Sequence, residues 1–582
     1  IMKKLNLLTS FLIAVFLLSS CGGLDKMKEE YGTLKFESTP KVLEMHGGEV
    51  EYSITGNVPP EWFNKNAIVE WTPVLTYEGG EKAFEAKKFQ GEKVEANNKV
   101  IKYETGGEIE FNGTFEYNKD MRVSDLVVRG EATIDDETLP MPAQNVAKGI
   151  KATPNLVMID PKPVMASDKF VRVTTHEKDA DIHYEIERDN LRNSELTQED
   201  IKNLEDFVKE VEKAENKNYK GVKLSAYASP AGPMDLNERL SKGRKNSANR
   251  FLEDLIGDKK LSKEDAKKIF EAKTTTEDWE GFKKLVENSD IEDKDLILRV
   301  LSMHSDPEVR EKEIENMAKT WEVLAEKILP KLRRSELAVK IEQIGFSDEE
   351  IKKFVDSNPD TLNKEELLYA GYQLYTDLDQ RLKAFELAAE KDPKCMRAYN
   401  NIGFVKIKQG ELDDAREALE KANELKEGNP KVLNNLGVIE LEKGNIKEAK
   451  EYFLDATDAG KAVKYNLGII NIKNGEYETA ISYLQNYNSF NTALALMLGG
   501  KLGEAEKMIS SLDDDKAMNY YLKAVIAARN NNETEVFNNL RTAIGKDGEL
   551  KKMAKTDMEF VDYYENSTFK SIVGAAAAET TE

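Results

Sequence analysis

The residues whose types could do chemistry are few and far apart. Cys21 stands behind Ser19 and Ser20 at the end of an uncharged apolar run, Leu5 to Leu18, that Lys3 and Lys4 precede. Arg244 sits in a polar stretch rich in small residues, and its guanidinium fork can clamp a carboxylate bidentately. The four histidines, His46, His176, His183 and His304, fall in separate segments and predict no zinc site. Asp513-Asp514-Asp515 lacks the spacing and glycine of a calcium loop and reads as a solvated turn. No P-loop, dinucleotide fingerprint, His-Glu-x-x-His or nucleophile elbow occurs. No pair of carboxylates stands out as acid and base. The expectation is a protein without catalytic residues, metal or cofactor.

The elements that must carry these residues are set by composition first. A chain of 582 residues with 33% charged and 40% hydrophobic residues is globular in character. It exceeds a single core, and a prior of about 150 residues per domain suggests three or four domains. The net charge of −23 repels phosphate backbones, and no basic, aromatic-interleaved stretch offsets it, so no nucleic-acid partner is expected. The run Leu5 to Leu18 falls short of the roughly 20 residues that span a bilayer and suits an export signal over residues 1–20. Residues 21–30 then read as a short polar tether.

From 31 to 150 the pattern is that of strands. Alternating runs such as Glu49–Ile54 and Gly107–Phe111 lie between turn pairs, including Gly47-Gly48, Gly79-Gly80 and Gly106-Gly107. That spacing predicts a β-sandwich, with Trp62, Trp71, Phe89 and Tyr117 in its core. Residues 151–180, with Pro154, Pro161 and Pro163, read as an extended connector. Between 181 and 345, strands are expected over Ile182–Ile186, Val222–Ala226 and Ser335–Gln343. Helices are expected over Asn203–Val211 and Asn237–Leu255, with a helical insertion over about 258–330. The last third, 346–574, repeats. Ala398-Tyr399-Asn400-Asn401-Ile402-Gly403 returns 34 residues on as Val432–Gly437, and 31 further on as Val463–Gly468. Gly410, Gly444 and Gly475 keep step with it, as do Ala415, Ala449 and Ala480, small enough to let paired helices pack closely. A disordered tail is expected over 575–582.

Three resemblances attach to these residues. Leu18-Ser19-Ser20-Cys21 resembles the lipobox of bacterial lipoproteins, which implies a diacylglycerol, with its palmitate-type chains, on the Cys21 thiol. The other reading is an ordinary secretory signal with an incidental cysteine. With lipid on Cys21, Cys395 has no disulfide partner. Ser225–Gly232 followed by Asn237-Glu238-Arg239-Leu240-Ser241-Lys242-Gly243-Arg244 resembles the peptidoglycan-binding OmpA-like domain. There an aspartate and an arginine grip the charged groups of diaminopimelate. Carried over, the arginine is Arg244 and the aspartate position falls on Ser229, which supplies no charge; Asn237 opens the helix. Either an altered peptidoglycan site survives, or Arg244 makes a structural salt bridge. The repeats resemble tetratricopeptide (TPR) repeats, which stack into a solenoid with a concave groove. By family position that groove is lined by Arg397, Asn400 and Phe404, then Lys431, Asn434 and Val438, then Tyr465 and Ile469. It suits an extended or helical segment of a partner, or else the array only packs on its neighbouring domain.

Taken together, the expectation is a multidomain α+β protein: a β-sandwich, an OmpA-like α/β domain with a helical insertion, and an α-solenoid. The combination resembles outer-membrane lipoproteins of Bacteroidota-type envelopes, lipid-anchored and periplasm-facing, with surface display the alternative that the acidic residues Asp25, Glu29 and Glu30 after the cysteine leave open. The role this implies is a non-enzymatic envelope scaffold joining an outer-membrane or periplasmic protein complex, with or without peptidoglycan contact. The alternative is a pure assembly adaptor for a secretion, appendage or barrel-assembly machine.

Overall fold

The computed structural model describes residues 23–257 and 263–574. The export signal, Cys21 and the tail expected over 575–582 lie outside them. Two compact units result. One takes the chain up to Ala166 and again from Asp392; the other is Ser167–Lys391.

The first unit opens with eleven strands: β1 (Lys35–Thr39), β2 (Leu43–His46), β3 (Glu49–Val58), β4 (Ile68–Tyr77), β5 (Gly80–Ala83), β6 (Lys87–Gly91), β7 (Lys99–Ile101), β8 (Gly107–Glu116), β9 (Ser124–Ile134), β10 (Glu137–Lys148) and β11 (Ile150–Lys151). In one sheet β3 is central, paired with β8 on one edge and with β1 and β2 on the other; β11 adds parallel to β2. The other sheet runs β10-β9-β4-β6-β7, with β5 also on β4. Side chains alternate across a strand, so the period-two pattern of β3 sends Val50, Tyr52, Ile54 and Val58 inward. Trp62, Trp71 and Phe89 are buried in the core, while Tyr117 is half-buried at its margin. The Trp62 and Trp71 rings stack with centroids 6.2 Å apart, and Trp71 Nε1 donates to the Tyr31 hydroxyl at 3.3 Å. Buried indoles keep a partner in this way.

The polar tether expected up to residue 30 is not free from Gly23 onward. Residues 23–29 are helical, and Leu24 and Met27 are each only 2% exposed within the sandwich core. Trp62 Nε1 donates to the Met27 carbonyl at 3.1 Å. Two apolar residues three apart, followed by Tyr31, suffice to dock this helix of about two turns despite the charged residues between them.

From Met396 the first unit continues as helix pairs: Met396–Gln409 with Leu412–Leu425, Pro430–Glu442 with Ile446–Asp455, Lys461–Lys473 with Tyr477–Leu484, Phe490–Leu498 with Leu502–Ser510, and Ala517–Arg529 with Glu533–Lys546. Leu550–Lys555 and Ser567–Val573 follow. Ala415, Ala449, Ala480 and Ala505 are fully buried at the same place in the second helices. The sandwich packs against this array where the Gly47-Gly48 turn meets the Asn474-Gly475 turn. A Cβ on Gly47 would lie 2.7 Å from the Asn474 carbonyl oxygen, and one on Gly475 2.9 Å from the Gly47 nitrogen. Both glycines also have positive φ, 59° and 77°. Gly475→Ala is therefore expected to cost about 1–3 kcal/mol, from backbone strain and lost approach together. Urea denaturation of the variant beside the parent measures this.

In the second unit four strands order as β12-β15-β13-β14: β12 (Val173–His183), β13 (Lys217–Tyr227), β14 (Phe270–Thr275) and β15 (Arg334–Ile344). Strand β15 is antiparallel to both neighbours, and β14 is parallel to β13. Helices Glu199–Lys213 and Met234–Ile256 supply its helical layer, burying Leu204, Val208, Val211, Ala248 and Leu252 against Val222, Leu224, Leu337 and Val339. Three expectations are corrected. The connector ends by Val173, because β12 begins eight residues before Asp181 and pairs with β15 along its whole length. The stretch expected as a helical insertion contains β14. The helices from Asp348 to Lys391 belong to this unit and not to the array. Arg172 fixes them by donating to the Phe346 carbonyl and pairing with Asp348, and Lys169 N donates to Glu365 at 2.8 Å.

Candidate functional site

The first helices of the array form a wall of buried amides. Asn400 and Asn401, Asn434 and Asn435, Asn466, and Asn491 are at most 1% exposed, each on a helix whose other faces bury aliphatic side chains. A buried amide without partners is costly, so each must be satisfied. Their partners are the main chain of the connector.

Four asparagines each hold one connector residue by both of its peptide groups. Asn491 accepts from Met158 N and donates to Met158 O, both at 2.8 Å. Asn466 does the same for Lys162 at 2.7 and 3.2 Å, and Asn435 for Val164 at 2.7 and 2.9 Å. Asn401 clamps Ala166 at 2.6 and 2.9 Å. Asn400 and Asn434 add bonds to Val164 O and Lys162 O, both 3.1 Å, and bond to the neighbouring clamps. The gripped residues from Lys162 onward alternate, as one side of an extended chain must. Pro163 stands between two gripped residues and Pro161 just before the first of them, where no N–H is called for.

Side chains add selectivity at one point. The Tyr465 hydroxyl donates to Asp160 Oδ1 at 2.7 Å, and Asn491 Nδ2 reaches the same oxygen at 3.1 Å. Lys162 Nζ pairs with Asp160 at 2.8 Å and lies 4.6 Å from the centroid of the Tyr465 ring. Burial, then the Asp160 charge, push the Tyr465 phenol well above its ordinary range, so it stays a donor. Lys431 Nζ donates to Met165 O at 3.2 Å.

Of the residues expected to line the groove, Asn400, Lys431, Asn434 and Tyr465 therefore do hold an extended peptide. Val438 and Ile469 are buried in the apolar cluster that also takes in Val157 of the connector. Arg397 and Phe404 are half-buried. The expectation that the groove awaits a partner segment is corrected: residues 158–166 of the same chain fill it. The four clamping asparagines are not among the expected lining residues. Asn401, Asn435 and Asn466 recur at the repeat spacing itself, 34 and 31 residues, beside the positions chosen.

In the second unit, Ser229, Asn237 and Arg244 are buried, and the side chains of Asn237 and Arg244 are engaged with their own chain. Arg244, 1% exposed, donates from Nε to Arg188 O at 3.1 Å and from Nη1 to Tyr227 O at 2.8 Å. Its guanidinium lies 5.2 Å from the centroid of the Tyr184 ring. Burial pushes its pKa down to about 10, so it remains charged at neutral pH. The structural salt bridge expected as the alternative is replaced by carbonyl acceptors. Asn237 Nδ2 donates to Ala231 O and Gly232 O, tying the turn before the helix. Beside this lies a cleft of about 1030 Å³ whose lining includes Arg188, Arg192, Lys331 and Arg333, with Glu185 and Glu187 opposing them. Arg333 Nε is buried there without a hydrogen-bond partner. Arg244→Ala should destabilise the second unit by about 2–4 kcal/mol, because charged hydrogen bonds and a filled volume go together. Thermal denaturation measures the loss.

Among the described residues there is no cluster of His, Cys, Asp and Glu suited to a metal ion, and no helix long and apolar enough to cross a membrane.

Residues 406–465 match the tetratricopeptide repeat family. Among solved structures the chain is similar to YrrB, described as a TPR protein with an unusual peptide-binding site. That match has 26% identity over 29% of this chain and 94% of that one, with a TM-score of 0.25. It is also similar to PilF of Pseudomonas aeruginosa, with 20% identity over 37% of this chain and 97% of that one, TM-score 0.26. A tetratricopeptide repeat protein from Parabacteroides merdae shares 16% identity over 36% of this chain and 91% of that one, TM-score 0.28. No curated protein matches the chain.

Proposed function

We propose, from a C-terminal tetratricopeptide array whose groove is already laced by its own chain, that this protein is a non-enzymatic assembly scaffold of the cell envelope. TPR repeats serve protein–protein interaction, and the lacing decides how they serve it here. The array is an internal frame that locks the sandwich, the connector and the repeats into one body, and it meets partner proteins on surfaces outside the groove. The observation that carries this reading is the double grip of Asn401, Asn435, Asn466 and Asn491 on the connector. The finer reading, an outer-membrane lipoprotein anchored through Cys21 and facing the periplasm, rests on the lipobox-like residues before that cysteine.

Photo-crosslinking in cells tests the scaffold. Probes on the exposed positions Glu451 and Glu506 of the second helices are expected to capture a defined protein, and a probe at Lys431, beside the connector that fills the groove, is not. Capture from the groove alone, with the connector intact, would overturn the reading in favour of a peptide adaptor.

Wall contact is a second reading, and the cleft at Arg188, Arg192 and Arg333 is what favours it. Purified peptidoglycan should then retain the parent protein and lose Arg333→Ala, a variant without a hydrogen bond to forfeit. Equal recovery of both excludes that cleft as the contact.

A further inference from the structure

The helix over residues 23–29 fixes more than its own burial. Leu24 and Met27 are sealed in the sandwich core, and Trp62 holds the Met27 carbonyl. Gly23 is wedged against the loop at Asn64 and the end of β9. A Cβ there would lie 2.7 Å from Asn64 Nδ2 and 3.4 Å from Ile134 Cδ1. Cys21 is two residues earlier, and Cα atoms two residues apart are separated by at most about 7 Å. Covalent reach alone therefore tethers any group on that thiol close to the end of the sandwich that Gly23 packs against.

That end is defined by strand register. Ile68 of β4 opposes Thr133 of β9 beside Asn64 and Ile134, while Tyr77 opposes Ser124 at the other end. Ten residues of strand put the two ends about 30 Å apart. The near end carries Glu61, Glu92, Asp135 and Asp136 against Lys65 and Lys93, with Lys65 paired to Glu92 at 3.1 Å. Its uncompensated charge is acidic, which disfavours an anionic lipid surface and leaves a zwitterionic one.

We propose that the sandwich end formed by the loop at Asn64 and the β9–β10 turn at Asp135-Asp136 lies directly against a zwitterionic lipid headgroup surface. The inference rests on Cys21 carrying lipid, but adds an orientation that a lipid alone does not give. A flexible tether would let the body swing; a docked helix seats it.

The native lipidated protein in phosphatidylethanolamine–phosphatidylcholine vesicles tests it, with a genetically encoded fluorescent residue at Asn66, Asp136 or Glu78. A nitroxide on the lipid headgroup should quench the probes at 66 and 136 at least threefold more than the probe at 78. Inserting twelve Gly/Ser residues after Gly22 should level the three. Mass analysis of the N-terminal peptide separates the two ways of failing. Lipidated Cys21 with equal quenching overturns the seat and leaves the anchor; unlipidated Cys21 overturns both.

Discussion

Replacing Asn435 and Asn466 together by alanine is expected to release the middle of the connector and to lower the stability of the first unit by about 4–6 kcal/mol. Each asparagine makes two hydrogen bonds with the connector main chain, one accepted and one donated, and donates to a neighbouring amide; Asn435 also accepts from Asn434. A net hydrogen bond contributes about 1 kcal/mol, and buried peptide groups left without partners add their desolvation cost. The two sites act on one segment, so their effects should not add independently. The sharper readout is amide hydrogen exchange at Lys162 and Val164, whose protection should collapse in the double variant. Asn539→Ala, which removes a bond to Glu535 one turn away, should leave it unchanged. The connector can be tested from its own side as well. Val164→Pro deletes a gripped N–H and should mimic the loss of Asn435, whereas Pro163→Ala should be nearly silent. Unaltered protection in the double variant would mean that the asparagines do not hold the segment.

The second large effect is expected at Glu559. Its carboxylate is fully buried, accepts from Arg529 Nε at 3.1 and 3.0 Å, and lies 3.8 Å from Lys151 Nζ. Thr153 also donates to it. One charge thus joins β11 and the start of the connector to the last repeat. Arg529→Ala should cost about 3–5 kcal/mol, because it strands a buried carboxylate. The double replacement Arg529→Met with Glu559→Leu should recover most of that loss, since matched apolar residues remove both charges at once. Chemical denaturation of the three proteins decides it. If the double variant is as weak as the single, the pair contributes net stability instead of only depending on each other.

Much of this fold was legible because short-range periodicity encodes it. Glu49–Val58 alternates, and the repeat residues around Asn400, Asn434 and Asn466 return at near-constant spacing. The failures share one cause, contacts that leave no local period. Residues 158–166 read as extended from their prolines, but their partners lie 235 to 333 residues away. The stretch Phe270–Thr275 carries charged side chains, and only its pairing with β13 makes it a strand. Gly23–Glu29 looks like a solvated tether because Leu24 and Met27 are a minority among charges. Arg244 was found by its motif, yet its burial against two carbonyls depends on the path of residues 184–189 around it, which no spacing reveals.

The lacing also has a mechanical side. Only two covalent crossings, at Ala166–Ser167 and Lys391–Asp392, connect the two units. Tension drawn through the first of them enters the connector at its clamped end. It meets four amide grips distributed between Ala166 and Met158, followed by the Thr153–Glu559 contact. A load shared among grips along a strand must break several before the strand slips, and the rate of that event sets how long the link survives. The helical repeats need not stretch to bear it. The array then acts as a cleat for the chain's own cord, and a second unit pulled by whatever it holds would strain the asparagines before it strained the sandwich.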